Sequence, residues 1–230
     1  MKKMDNVFRD FNEIEWRTYE TFSALAAFGS FWKETERLIC DASHLEEILE
    51  GPKWTPATQE ESAEHSEETR TARHLQDQVV TPTFRYSAVV VLFAAHEREI
   101  RRFAENLAKE RRVNICYRDF RGGLLEQVGK YLEVFYGFSA SGLSGYSQIC
   151  DLQKVRDCIV HCYGDPGLSR DKVHLLKLSS PETGLEVFDG VPVEIAPLFI
   201  ENSLKAVRDF FRELFFKVGW KVNEKWLTRV

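Results

Sequence analysis

The chain has 230 residues, of which 43% are hydrophobic and 29% charged, and it contains 17 Phe and 5 Trp. A domain of about 150 residues is typical, so this length predicts one enlarged domain. The aromatic content excludes a wholly disordered chain. The net charge of -5 argues against general binding to polyanions such as DNA, although a local basic face stays open.

The N-terminus and the longest apolar run carry no export or membrane signal. Charged residues follow Met1 directly, without the apolar segment of a signal peptide. Residues 86–95 form an apolar run of about ten residues, whereas a membrane span needs about 20. The five Cys lack paired spacing. We therefore expect a cytoplasmic protein with reduced thiols and no membrane association.

The first third of the chain is predicted to hold a helical arm, residues 1–50, and an acidic linker or mobile loop, residues 51–82. Six apolar residues of the arm recur at helical spacings: Phe8, Phe11, Tyr19, Phe22, Leu25 and Trp32. Gly29 and Ser30 could divide the arm into two helices. The linker is rich in Glu and has few apolar residues to offset its ordering entropy, although part of it could be an exposed helix.

Residues 83–230 are predicted to form the main domain, a mainly α, up-and-down helical bundle with a small β-hairpin insertion. Apolar stripes at helical spacing predict helices over 84–112, 124–135, 145–163 and 197–218. Between the last two helices, residues 173–178 and 185–195 resemble short strands, with Asp189-Gly190 as a turn. The insertion therefore covers about 173–195.

The strongest candidate site lies at the end of the third of these helices. Arg156, Asp157, His161 and Tyr163 fall within eight residues. On a helix Asp157 and His161 are about 40° apart, so the carboxylate could accept the imidazole N–H and orient the ring. Arg156 supplies a planar charge suited to a phosphate, and His161 can exchange a proton. The set predicts metal-independent RNA cleavage by a ribose 2′-OH, with Tyr163 binding phosphate or positioning the strand.

The segment Arg156-Asp157-x-x-x-His161, on an apolar helix that is followed by Gly164, resembles the signature of the HEPN superfamily. In that signature an Arg and a polar residue precede a His by a few positions. The resemblance covers about residues 84–218. The longer run Arg156-x4-His161-x-Tyr163 is similar to the form in HEPN toxins paired with a nucleotidyltransferase antitoxin. The chain departs from the family at its β insertion and by having Asp157 where many members have Asn.

This resemblance implies a four-helix bundle that forms a homodimer, in which two motifs build one composite ribonuclease site. It also implies RNA as the substrate, no metal or other cofactor, and a toxin–antitoxin or antiviral setting. Tyr163 would then be a regulatory target of AMP transfer by a nucleotidyltransferase-type antitoxin.

Structural alternatives exist for each of these residues. Spacing alone is not specific, because Arg37 and His44 also match it. Arg156 could form a surface ion pair and His161 could cap the helix end. The chain would then be a non-catalytic HEPN interaction module. A third hypothesis is a nucleotide-binding bundle.

Three further patterns favour structural roles. His96 falls on the apolar stripe of the long helix, so we expect a hydrogen-bonded core His; alternatively it lines the cleft behind the site. Cys158, His161 and Cys162 have no fourth ligand at zinc-site spacing, which indicates no metal site. Basic residues between positions 98 and 121 alternate with acidic ones, which favours a solvated helix face over an RNA track.

Overall fold

The structure, a computed structural model, describes residues 13–40, 59–111 and 114–223. It is mainly α with a small antiparallel sheet, which confirms the predicted fold class. The elements are α1 (Glu13–Cys40), α2 (Gln59–Leu75), α3 (Thr81–Arg111), α4 (Leu124–Tyr136), α5 (Tyr146–Cys162), α6 (Lys172–Leu178), β1 (Leu185–Glu186), β2 (Glu194–Ile195) and α7 (Pro197–Lys217).

Helix α3 is the centre of the bundle, because it packs against α1, α4, α5 and α7. Its predicted apolar stripe is buried, and the buried positions recur every three or four residues. Helix α7 faces it with Phe210, Phe211 and Phe215, all almost completely buried. Burying a side chain of this size stabilises the fold by about 1.5–3 kcal/mol. Phe215 meets Phe103 of α3, so part of the aromatic content of the sequence lies at the α3–α7 contact.

Helix α1 runs without a break past Gly29 and Ser30, where the sequence suggested two helices. Its apolar face packs against α3 and α7, and Trp32 stacks on Phe84 with ring centroids 5.1 Å apart. Packing on both sides outweighs the weak helix propensity of one glycine. The described part of the predicted arm therefore shares the main core, while residues 1–12 and 41–58 lie outside the described residues.

The acidic segment is helical from Gln59 onward, where the sequence favoured a linker or mobile loop. Helix α2 continues through a π-helical segment, Gln76–Val80, directly into α3. Its described side chains are mostly exposed, and Arg70 pairs with Glu67 one turn earlier at 2.7 Å. Glu, Gln, Ala and Arg are good helix formers, so such a helix needs little burial.

The prediction for the β insertion is confirmed in its second segment, residues 185–195, and wrong in its first segment, residues 173–178. Leu185 and Glu186 pair with Ile195 and Glu194 as an antiparallel hairpin, but residues 173–178 lie in helix α6 instead of a strand. The backbone N–H of Leu175 donates to the carbonyl of Asp171, 3.0 Å away, and Leu175 is buried. A short segment rich in apolar residues fits both the helical and the strand period. Here the packing of α6 against α5 favours the helix.

One helical stretch, Ser66–Arg111, is long and apolar enough by length and composition to cross a membrane, and 28% of its most apolar window is buried. Core helices of soluble proteins meet the same criterion. In this bundle the inner face of that stretch, from Val89 to Leu107, is part of the core.

Candidate functional site

The end of α5 carries the motif residues away from its most buried face. Ile149, Leu152, Val155 and Cys158 of this helix are buried. The helical period turns positions 156, 157 and 161 away from that buried face. Helix α5 ends where Tyr163 adopts a left-handed conformation (φ 54°) and the N–H of Gly164 donates to the carbonyl of Cys158, 3.1 Å away. This left-handed residue and this bond end the helix and satisfy one of its last carbonyl groups.

The guanidinium of Arg156 is held between α3 and α5. Its Cζ lies 4.3 Å from the centroid of the Phe93 ring, a cation–π contact. Nη1 lies 2.6 Å from Oδ1 of Asp157, and Nη2 lies 3.7 Å from Oε1 of Glu97. The side chain remains 21% exposed. Arg156 is therefore fixed by its neighbours and partly exposed to solvent.

The carboxylate of Asp157 faces arginines. Besides Arg156, it lies 3.9 Å from Nη2 of Arg170. Among the described residues it forms no hydrogen bond with His161, which differs from the orienting role that the sequence suggested. Two permanent positive charges attract a carboxylate more strongly than a neutral imidazole does. Asp157 therefore orients Arg156 in a single protomer.

His161 and Tyr163 face solvent. His161 is exposed and hydrogen-bonds no residue of the described chain, and Tyr163 is 88% exposed. Five helical positions separate Arg156 from His161, which is about 7.5 Å along the axis and about 140° around it. One protomer thus presents the two side chains on different sides of α5.

His96 lies in the core without the hydrogen bond that the sequence suggested. Its side chain is 1% exposed, and neither ring nitrogen has a partner within the described protein. The rings of Phe93, Phe210 and Phe211 surround it at centroid distances of 5.8–5.9 Å. Burial lowers the pKa of His96 to about 4, so the imidazole is neutral at pH 7. His96 lines no cleft at the motif and contacts Phe93, which stacks on Arg156.

Three basic residues of α3, Arg85, Arg98 and Arg102, are ion-paired, in keeping with a solvated face. Arg98 and Arg102 both contact the buried carboxylate of Glu99, at 3.0 and 2.6 Å. A shallow depression of about 360 Å³ on this face is lined in part by Arg101 and Glu97. Because Glu97 also faces Arg156, this depression adjoins the motif.

Sequence reasoning missed Phe93 and Glu97, the two α3 residues that hold Arg156. They lie four positions apart on one face of α3, but nothing in the local pattern identifies their contact with a residue some 60 positions later. In residues 13–40, 59–111 and 114–223, no three His, Cys, Asp or Glu side chains are grouped to hold a metal ion.

Comparison with protein-family models, with curated proteins and with solved structures found no match for this chain.

Proposed function

We propose that this protein is a metal-independent endoribonuclease of the HEPN type, whose active site is completed by a second copy of the chain. One observation carries the proposal: the last turns of α5 hold both Arg156, which is fixed by its neighbours and partly exposed, and His161, which is exposed and forms no hydrogen bond with the described residues. The mainly α bundle around them is the fold that the resemblance implies.

The two side chains suit phosphodiester cleavage without a cofactor. The ribose 2′-oxygen attacks the adjacent phosphorus, its proton passes to the Nε2 or Nδ1 of a His161, and the bond to the 5′-oxygen breaks. A protonated His161 donates a proton to that 5′-oxygen, which leaves a 2′,3′-cyclic phosphate and a free 5′-OH. Arg156 stabilises the negative charge that develops on the phosphate oxygens. Asp157 and Glu97 position its guanidinium.

A second copy supplies what one protomer lacks. Because Arg156 and His161 point to different sides of α5, a single chain does not aim both at one phosphate. The segment around the motif exposes three large apolar side chains: Val160 at 47%, Leu168 at 70% and Val173 at 68%. Exposed apolar surface of this kind favours association, and two-fold contacts are the commonest form. A homodimer would bury it beside both motifs.

The proposed setting is a cytoplasmic toxin–antitoxin or antiviral system that acts on RNA. Arg101 borders the exposed depression beside the motif, where it offers one positive charge to a phosphate of the RNA backbone. The phenol of Tyr163 stands in solvent just after the helix end, accessible to a nucleotidyltransferase-type antitoxin that would transfer AMP to it.

The test is cleavage of a fluorescent RNA by the purified full chain in the presence of EDTA. We expect Arg156→Ala and His161→Ala each to reduce the cleavage rate by at least about 100-fold. Two matched controls, Arg170→Ala beside Asp157 and His74→Ala on the exposed face of α2, should retain the rate. Undiminished cleavage by both motif variants, with circular dichroism showing them folded, would refute the assignment.

Mixing the two inactive variants tests the shared site. A heterodimer of Arg156→Ala and His161→Ala chains still contains one intact Arg156 and one intact His161 from different copies. Recovery of cleavage on mixing supports a composite site, whereas a mixture as inactive as its components contradicts it.

A non-catalytic interaction module is the second candidate, and the contacts of Arg156 favour it. A guanidinium stacked on Phe93 and paired with two carboxylates also serves to join α3 and α5. This candidate predicts no cleavage by the unmodified protein and a marked fall in melting temperature for Arg156→Ala.

A further inference from the structure

The continuous helix formed by α2, the π-helical segment and α3 carries an apolar face that the bundle leaves exposed. Leu75, Val79 and Val91 on this face are 53%, 52% and 54% exposed. Only 28% of the most apolar window of the stretch Ser66–Arg111 is buried. We define the outer face of α2–α3 by seven positions that recur every three or four residues: Ala72, Leu75, Val79, Thr83, Ser87, Val91 and Ala94.

The outer face of α2–α3 lies opposite the core. At 100° per residue, Ser87, Val91 and Ala94 are about 140–180° around the helix from the buried His96. The hydroxyl of Ser87 donates to the carbonyl of Thr83 in the same helix, 2.9 Å away, so it is already satisfied if the face becomes covered. Contiguous apolar surface of this kind marks an interaction site.

The two ends of the outer face carry opposite charges. Between Glu68 and Arg98 the face holds no charged residue. Glu68 comes 15 positions before Thr83 and Arg98 comes 15 positions after it, which is about 22 Å on either side. Glu68 is exposed, and the side chain of Arg98 is 67% exposed. The face is therefore self-complementary, because a rotation of 180° about Thr83 brings Glu68 to Arg98 and Leu75 to Val91.

We propose that two copies of this chain associate through the outer face of α2–α3, antiparallel about a two-fold axis at Thr83. Each Glu68 pairs with Arg98 of the second copy, and each Leu75 packs against Val91 of the second copy. About 45 Å of helix meets in each copy. A membrane fits this face poorly, because anionic lipid headgroups would repel Glu68.

This contact is separate from the surface proposed to complete the cleavage site, which follows α5. A chain that uses both surfaces forms a tetramer. Helix α2 of the second copy would extend over Arg101, so the association competes with the RNA contact proposed there. That consequence alone rests on the proposed function, and the association is therefore measured without RNA.

The experiment is sedimentation equilibrium of the full chain at low salt, where surface ion pairs are screened least. We expect Val91→Glu to weaken the association at least about 100-fold, because each copy would bury an unpaired charge opposite Leu75. The mass of the assembly should halve, from tetramer to dimer or, without the contact near α5, from dimer to monomer. Val134→Glu, at an exposed position of α4, is the matched control and should leave the dissociation constant unchanged.

Exchanging the charges at the ends tests the antiparallel register. Glu68→Arg or Arg98→Glu alone sets like charges against each other at both ends and should weaken the association about tenfold. An equimolar mixture of the two variants sets opposite charges against each other again, and so does one chain that carries both substitutions. Both should regain the affinity of the unmodified chain, which a misfolded variant would not do.

The proposal is overturned if the unmodified chain shows no association that Val91→Glu weakens. It is also overturned if the mixture of Glu68→Arg and Arg98→Glu chains associates no more tightly than either variant alone. Absence of RNA cleavage by a chain that associates as expected would contradict the proposed function and leave this contact standing.

Discussion

The buried imidazole of His96 makes the stability of this protein depend on pH in a way that one substitution should remove. His96 is 1% exposed, it is enclosed by three Phe rings, and neither of its nitrogens is hydrogen-bonded within the described protein. Protonation in this site places an unpaired charge among hydrocarbons. The folded state therefore resists protonation, whereas the unfolded chain does not.

The size of the effect follows from the two pKa values of His96. The ordinary value is 6.5, and burial lowers it to about 4 in the folded protein. The unfolded state therefore binds a proton at a higher pH than the folded state does. The contribution to stability is fully present above pH 6.5 and is lost as the pH falls toward 4. A difference of about 2.5 in pKa corresponds to about 3 kcal/mol at full protonation, and to about 2 kcal/mol at pH 5.

The substitution is His96→Leu, which keeps an apolar side chain of similar size among the Phe rings. We expect the variant to be about 1–2 kcal/mol more stable than the unmodified protein at pH 8, because it removes buried polar atoms without partners. At pH 5 its advantage should grow by about 2 kcal/mol. Urea unfolding followed by circular dichroism at pH 8, 6 and 5 gives both free energies of unfolding.

His161→Leu is the matched control, since it removes an exposed imidazole and leaves His96 in place. Its free energy of unfolding should fall between pH 8 and pH 5 by as much as that of the unmodified protein. The reasoning is refuted if His96→Leu and the unmodified protein lose stability in parallel between pH 8 and pH 5.

Two other substitutions test close packing and hydrogen-bond satisfaction by the same urea measurement. Gly145→Ala should lower the free energy of unfolding by more than about 2 kcal/mol, because φ is +77° and the new Cβ would clash with the carbonyl oxygen of Ala206. The control is Gly142→Ala, which should change the free energy of unfolding little because no atom lies within 4 Å of its new Cβ. Equal effects of the two substitutions would contradict this argument. Tyr131→Phe should raise the free energy of unfolding by about 1 kcal/mol, because the buried hydroxyl has no partner in the described protein. Tyr86→Phe should lower the free energy of unfolding by a similar amount, because the Tyr86 hydroxyl donates to the carbonyl of Val193 at 2.8 Å. If the two Tyr→Phe substitutions change the free energy of unfolding in the same direction, the hydrogen-bond assignment is wrong.

The helices that carry the core were predictable from local pattern. Apolar residues every three or four positions place α3, α4, α5 and α7 to within a few residues, and Pro197 at the start of α7 agrees with its N1 preference. The same method failed at residues 173–178, a six-residue segment whose four apolar residues fit either the helical or the strand period. It also favoured a linker over 59–80, because an exposed helix lacks the apolar stripe on which the prediction depends.

Some features of the candidate site also follow from the local sequence, whereas others depend on tertiary contacts. The sequence by itself determines that Arg156 and His161 lie at a helix end and away from its most buried face, because rotation per residue is a local property of the chain. Only the tertiary structure decides that Arg156 stacks on Phe93, and that Asp157 faces two arginines and not His161. These contacts join residues that are far apart in the chain, and they depend on how whole helices pack against one another.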